Sequence, residues 1–149
     1  MKSIMFFFSV LFLFVIETVS GNNFCNRDSC ICDVHNLVEM QQNMDNLTTD
    51  EIKNFLSTFD GCCINNVEYT EFSNEILYSL LGHNKAYLLV KVLSENSELP
   101  LNNIKQAIEN PINDQIDIKK AYKNIKAIKG CKSMRNAILK SINVAISKL

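Results

Sequence analysis

Residues 72–93, FSNEILYSLLGHNKAYLLVKVL, contain two apolar segments separated by the short polar stretch GHNK. In the first segment, apolar residues recur three and four positions apart, which predicts an amphipathic helix with one stripe facing a core. The stripe consists of Phe72, Ile76, Leu77, Leu80 and Leu81. The second segment, 87–93, is nearly all apolar. Its valine content suits a strand, but its helical neighbours favour a buried helix.

The same helical spacing continues towards the N-terminus of this stretch. Residues 34–44 and 52–59 each carry one apolar face at offsets of three and four. Thr48-x-x-Glu51 stands before the second of these segments and has the pattern of a capping box, in which each side chain satisfies the other residue's backbone N–H. The pattern predicts that a helix begins at this point.

Helical spacing also continues towards the C-terminus. Residues 101–108, 118–128 and 134–149 keep apolar residues on one face, and Asn110-Pro111 ends the first of these segments. We therefore predict an all-α fold, a compact disulfide-stapled bundle of six to seven short helices.

Three glycines each follow an apolar helical stretch. They are Gly61, Gly82 and Gly130. A helix often closes with one residue in the left-handed conformation, which glycine adopts without strain. We expect all three glycines to close helices in this way.

Residues 1–20 have the layout of a secretory signal peptide. Met1-Lys2 forms a short basic start, residues 4–16 are apolar except for Ser9, and the small residues Thr18 and Ser20 precede Gly21. The apolar run is shorter than the ~20 residues that a membrane-spanning helix needs. We therefore predict cleavage before residue 21 and a single secreted, extracellular domain over 21–149 that does not span a membrane.

All six cysteines lie beyond the leader. They are Cys25, Cys30, Cys32, Cys62, Cys63 and Cys131. An even number in a small secreted domain indicates a disulfide framework. Bridge geometry excludes a bond between adjacent Cys62 and Cys63 and disfavours one between Cys30 and Cys32, which leaves ten of the 15 pairings open.

Two consequences hold for every remaining pairing. The doublet Cys62-Cys63 bonds to two different partners and so fastens the end of the second helix to two places. Cys131 is the only cysteine in the second half. We expect it to bridge back to the N-terminal cluster or to the doublet, with a loop-closure contribution on the order of 4 kcal/mol.

The sequence contains no recognisable constellation for catalysis, for a metal or for a cofactor. Cys30-x-Cys32-x-x-His35 has thiol and imidazole groups of the kind that zinc binds, but an oxidising compartment favours bridges. With two histidines in the chain, a nucleophile–base arrangement has few candidates. We predict no catalytic residues, no metal site and no cofactor.

Charge is unevenly distributed along a chain whose formal net charge is −1. This near-neutral balance argues against a nucleic-acid-binding protein. From Ile118 onward there are nine basic residues and no acidic residue. Four of the basic residues fall opposite the apolar stripe of residues 118–125, namely Lys119, Lys120, Lys123 and Lys126. They form either a solvated face lying against the acidic half or a contact surface for a receptor, an anionic glycan or an anionic lipid surface.

Asn46-Leu47-Thr48 is an N-glycosylation sequon, which predicts that Asn46 lies on the surface and carries a glycan.

Two functions are compatible with these features. The first is a secreted, non-enzymatic effector, resembling a toxin, cytokine or pheromone, that binds an extracellular or cell-surface protein through its lysine surface. The alternative is a carrier that encloses a small apolar ligand among its helices. Residues 87–92 could line such a cavity or equally belong to a packed core. Insect odorant-binding proteins are similar in leader, helical content and number of cysteines, but their cysteine spacing differs, so we infer no membership of that family.

Overall fold

The computed structural model describes residues 32–149, and the predicted signal peptide and residues 21–31 lie outside this range. The described part contains seven α-helices and no strand, which confirms the all-α prediction. The helices are α1 (Val34–Gln42), α2 (Thr49–Ser57), α3 (Val67–Leu81), α4 (Ala86–Glu95), α5 (Leu101–Glu109), α6 (Ile118–Ala127) and α7 (Lys132–Ile146). Short 3-10 turns, Met44–Asn46 and Thr58–Asp60, follow α1 and α2.

Helix α3 lies at the centre of the bundle and packs against α1, α4, α5 and α6. Helix α7 packs on α5 and α6, and α2 packs on α4. The predicted stripe of α3 provides four side chains without exposed surface, Ile76, Leu77, Leu80 and Leu81. The stretch quoted first therefore forms the middle of the core.

The segment that suited either a strand or a helix is helix α4, as favoured from its neighbours. Leu89, Val90 and Val92 are completely buried in the core. Because this helix is covered on several sides, an almost continuous apolar run is compatible with helical geometry.

The predicted capping box is present at the start of α2. The Thr48 backbone N–H donates to Glu51 Oε2 at 2.7 Å, and the Glu51 N–H donates to Thr48 Oγ1 at 3.3 Å. The hydrogen bonds that the Glu51 carboxyl accepts from the Thr48 hydroxyl and from the Thr48 backbone N–H lower the pKa of this carboxyl. Three further helices begin with a side-chain cap, provided by Asp33 in α1, Asn66 in α3 and Asp117 in α6.

Gly82 does not have the left-handed conformation that we expected, since its φ is −85°. Gly61 and Gly130 do have positive φ values, 98° and 105°. The sequence signal at Gly82 has a different physical cause. A Cβ at this position would lie 3.3 Å from the Tyr78 carbonyl oxygen, a tight contact within α3 itself, and 3.6 Å from Lys120 Cδ, an ordinary van der Waals distance.

Buried polar groups connect α3 to the end of α5. The Asn74 amide, 2% exposed, donates to the Ala107 carbonyl at 2.8 Å and accepts from the Ile112 N–H at 3.3 Å. The Tyr78 hydroxyl donates to the Ile108 carbonyl, and burial raises the pKa of this phenol. Because carbonyls at a helix end lack intrahelical partners, these contacts satisfy groups that would otherwise be buried without a hydrogen bond.

Candidate functional site

The four lysines singled out in the sequence lie together on one exposed face of α6. We call this surface, formed by Lys119, Lys120, Lys123 and Lys126, the α6 lysine face. The opposite side of α6 is buried through Ile118, Ala121 and Ile125. Because the apolar side is fixed in the core, the helix presents its lysines to solvent in a constant orientation.

The α6 lysine face makes no ion pair within residues 32–149. The ion pairs in this range join Lys53 to Glu98 at 2.7 Å, and pair His35 and His83 with Glu39 and Asp45, respectively. No ion pair joins these lysines to the acidic half, although Lys120 lines one cleft together with Gln41 and Glu75.

Two of the lysines, Lys126 and Lys120, make side-chain contacts with the rest of the protein, the first through its ammonium group and the second through its aliphatic part. The Lys126 Nζ lies 5.6 Å from the centre of the Tyr122 ring, a cation–π distance. The Lys120 stem crosses the backbone at Gly82. The Asp117 carboxylate caps the helix by accepting from the Lys120 N–H at 2.8 Å. Because these contacts already restrict the two side chains, the lysines lose less conformational entropy when a ligand binds.

A polar cleft adjoins the lysine face on one side. It lies where α1, α3 and the loop before α6 meet, has a volume of about 260 Å³ and includes Lys120 in its wall. We call it the α3–α6 cleft. Its polar walls are formed by Gln41, Glu75, Ser79, Asn113, Gln115 and Asp117. These residues come from three separated segments, so no spacing in the sequence indicated that they form a site.

A second depression, the α3–α5 groove, is more apolar. Its volume is about 330 Å³, and it lies between the cysteine doublet, α3 and α5. Cys63, Tyr69 and Ala107 line it together with Ile64 and Ile112, whose side chains are 69% and 42% exposed. Exposed isoleucines at its edge make it an accessible apolar surface.

Residues 87–92, which could line a carrier's cavity or equally belong to a packed core, lie in helix α4. Leu89, Val90 and Val92 are packed into the core, and Tyr87 is 45% exposed on the surface. This burial agrees with the packed-core interpretation of the segment and with the dense packing of protein interiors. A carrier would need another site, such as the α3–α5 groove.

The cysteine doublet forms two separate bridges, as the geometry of adjacent cysteines required. Cys63 is bonded to Cys32 with a Cα–Cα distance of 5.6 Å, and Cys62 is also disulfide-bonded. Cys25 and Cys30 lie outside the described residues. The doublet therefore ties the start of α1 to the turn that follows α2.

Cys131 has a free thiol, so the expected long-range bridge from this residue is absent. Cys32 and Cys63 are bonded to each other and Cys62 is engaged as well, which removes the expected partners within the described residues. The Cys131 Sγ instead accepts from the Ser94 hydroxyl at 3.4 Å. Packing of α7 against α4, α5 and α6 joins the second half to the bundle without this bridge.

The remaining predicted positions lie on the surface. Asn46 is exposed in the turn after α1, and its side-chain amide donates to Asn43 Oδ1 at 3.0 Å. His35 is exposed, whereas His83 is partly buried, with 25% of its side chain exposed. Within residues 32–149, no group of three or more His, Cys, Asp or Glu side chains is arranged to hold a metal ion.

No helix in this part of the chain is long and apolar enough to cross a bilayer.

Comparisons of the chain with protein-family models, with curated proteins and with solved structures give no match.

Proposed function

We propose that this protein is a secreted, non-enzymatic effector that binds a negatively charged extracellular or cell-surface target through the α6 lysine face. The observation that carries the proposal is the set of four exposed lysines on one helix, without an ion pair among the described residues. A row of like charges that no internal partner neutralises attracts anionic molecules.

Two further properties of the surface support this function. The chain from Ile118 to its end contains no acidic residue, so neighbouring parts of α6 and α7 do not repel an anion. The bridge between Cys32 and Cys63 and the core packing of α6 fix the scaffold that carries the lysines. A preorganised surface loses less conformational entropy on binding than a flexible one.

We expect the double substitution Lys119→Glu/Lys123→Glu to weaken binding to a polyanion at least tenfold at 0.15 M salt. Each lysine near an anionic surface contributes about 1 kcal/mol, and reversal also introduces repulsion. The measurement is titration calorimetry of the secreted protein with linear polyphosphate, which tests for charge without further chemistry. Circular dichroism should show the same helix content as in the parent protein.

The matched control is Lys105→Glu/Lys140→Glu, which changes the net charge equally on α5 and α7. The control should lose less than threefold in affinity, because its sites lie outside the lysine face. Equal losses in the two variants would mean that only net charge matters. Unchanged binding after reversal on α6, or no polyanion binding by the parent protein, would contradict the proposed function.

Transport of a small apolar ligand is the second candidate function. It is favoured by the volume and apolar edge of the α3–α5 groove, about 330 Å³, which is near the lower end of known ligand pockets. Native mass spectrometry of the secreted protein would reveal a bound lipid or similar compound. If this function is correct, Ile64→Asp should abolish ligand retention, while Ile146→Asp, at an exposed isoleucine of α7, should not.

A further inference from the structure

We propose that the target of the α6 lysine face is an anionic carbohydrate, a sulfated or carboxylated oligosaccharide of which one sugar ring occupies the α3–α6 cleft. The inference rests on the proposed function and adds the chemical class of the target. It starts from the position of Lys120, which belongs to the lysine face and to the wall of the cleft at the same time. A ligand bound by the lysines therefore extends into this cleft.

The first argument is the set of hydrogen-bonding groups that the cleft offers. The side chains of Gln41, Ser79 and Gln115 line it and make no hydrogen bond within the described part of the chain. Amides and hydroxyls each donate and accept, so they match sugar hydroxyl groups, which also do both. All three side chains are exposed and available to a ligand.

The second argument is the presence of two carboxylates in the cleft beside the lysines. Glu75 accepts a hydrogen bond from the Asn113 amide, and Asp117 accepts from the Lys120 N–H, which leaves further oxygen lone pairs on both. Carboxylates accept from neutral hydroxyls but repel anionic groups. A matching ligand needs neutral hydroxyls for the cleft and separate anionic groups for the lysines, which excludes a uniformly charged polyanion as the best partner.

The third argument concerns lipid membranes. Proteins that lie on anionic membranes combine basic residues with exposed apolar side chains that enter the headgroup region. Within residues 32–149 the exposed large apolar side chains are Ile64, Val67, Tyr87, Ile112, Ile146 and Leu149. None of them belongs to α6 or lines the cleft. The lysine face therefore lacks the apolar component of a membrane surface.

The fourth argument is size. The cleft volume of about 260 Å³ lies slightly below the roughly 300–1,000 Å³ of pockets for drug-sized ligands. It is suited to one ring of an oligosaccharide, with the neighbouring rings running along α6. Lys119 and Lys123 then bind the anionic groups of those rings.

The test compares a heparin-derived hexasaccharide with linear polyphosphate of the same total charge, by titration calorimetry of the secreted protein at 0.15 M salt. We expect the hexasaccharide to bind at least tenfold more tightly. The cleft variant Gln41→Leu/Gln115→Leu replaces two exposed amides by apolar groups of similar size and should lose about tenfold for the hexasaccharide. Its affinity for polyphosphate should remain unchanged.

The matched control is Gln42→Leu/Gln106→Leu, which removes two exposed amides outside the cleft and should leave both affinities unchanged. Circular dichroism of each variant shows whether the fold is intact. Equal affinity of the parent protein for the two probes, or an unchanged hexasaccharide affinity in the cleft variant, would overturn the carbohydrate assignment. Tighter binding to phosphatidylserine vesicles than to the hexasaccharide would overturn it as well.

The results that would contradict the proposed function differ from those that would contradict the carbohydrate assignment. If Lys119→Glu/Lys123→Glu binds polyphosphate as well as the parent protein does, the lysine face is not the contact surface. If that variant loses polyphosphate binding while the cleft variant keeps its full affinity for the hexasaccharide, the lysine face is the contact surface and only the carbohydrate assignment is wrong.

Discussion

Replacing Cys32 and Cys63 together by serine is expected to lower the free energy of unfolding by roughly 3–4 kcal/mol. The bridge links residues separated by 31 positions and joins the start of α1 to the turn after α2. Without it, the unfolded chain gains the conformational freedom that the closed loop removes. For a domain of this size, the midpoint of thermal unfolding should fall by roughly 10 °C. Denaturant and thermal unfolding under non-reducing conditions measure both quantities.

The control for this prediction is Cys131→Ser. Since Cys131 has a free thiol in the structure, its substitution should change the free energy of unfolding by less than about 0.5 kcal/mol. A loss as large as that of the double serine variant would show that Cys131 forms a bridge in solution. An unaffected double variant would contradict the stabilising role of the bridge between Cys32 and Cys63.

Leu77→Ala should lower the free energy of unfolding by about 3 kcal/mol. Leu77 is completely buried in α3, the helix that packs against α1, α4, α5 and α6. Truncation removes apolar contacts to several helices at once and leaves a cavity that rigid neighbours fill only in part. Urea denaturation, followed by circular dichroism, gives the difference in unfolding free energy.

Ile64→Ala provides the matched comparison, because the Ile64 side chain is 69% exposed. A change below about 0.5 kcal/mol is expected at such a surface position. Similar losses at the two positions would be incompatible with α3 as the centre of the core. Retained binding to polyphosphate by folded Leu77→Ala would show that the change acts on stability and not on the lysine face.

The helices were predictable because their signals are local. The apolar stripe of α3 and the capping box at Thr48 and Glu51 each depend on residues within one or two turns of the chain. The features that were predicted wrongly are not fixed by the local spacing of apolar residues. Gly82 follows an apolar helical stretch as Gly61 and Gly130 do, yet its φ is −85°, and the spacing contains no information on this backbone angle.

Cys131 illustrates the same difference in the disulfide framework. Counting cysteines showed that the doublet needs two partners, since this follows from the geometry of neighbouring residues. Which distant cysteine is within reach depends on how the helices pack. Here Cys131 directly precedes α7 and lies beside Ser94 of α4, and its thiol is free.

The candidate site likewise has one part that was predictable from local sequence and one part that was not. The α6 lysine face was predictable because all four lysines belong to one helix, whose period places them opposite the buried stripe. The α3–α6 cleft was not, because α1, α3 and the loop before α6 each supply only part of it. Gln41, Ser79 and Gln115 are common surface residues, and only their convergence distinguishes them.

If the proposed function is correct, the unpaired lysines also raise the rate at which the protein associates with its target, apart from the strength of binding. At physiological ionic strength an electrostatic field extends about 8 Å from exposed charges before screening by salt becomes strong. A diffusing polyanion is attracted within this distance and rotates before any atom touches, which raises the encounter rate. Since ions compete for the same field, association should slow steeply as salt is added, while dissociation responds much less.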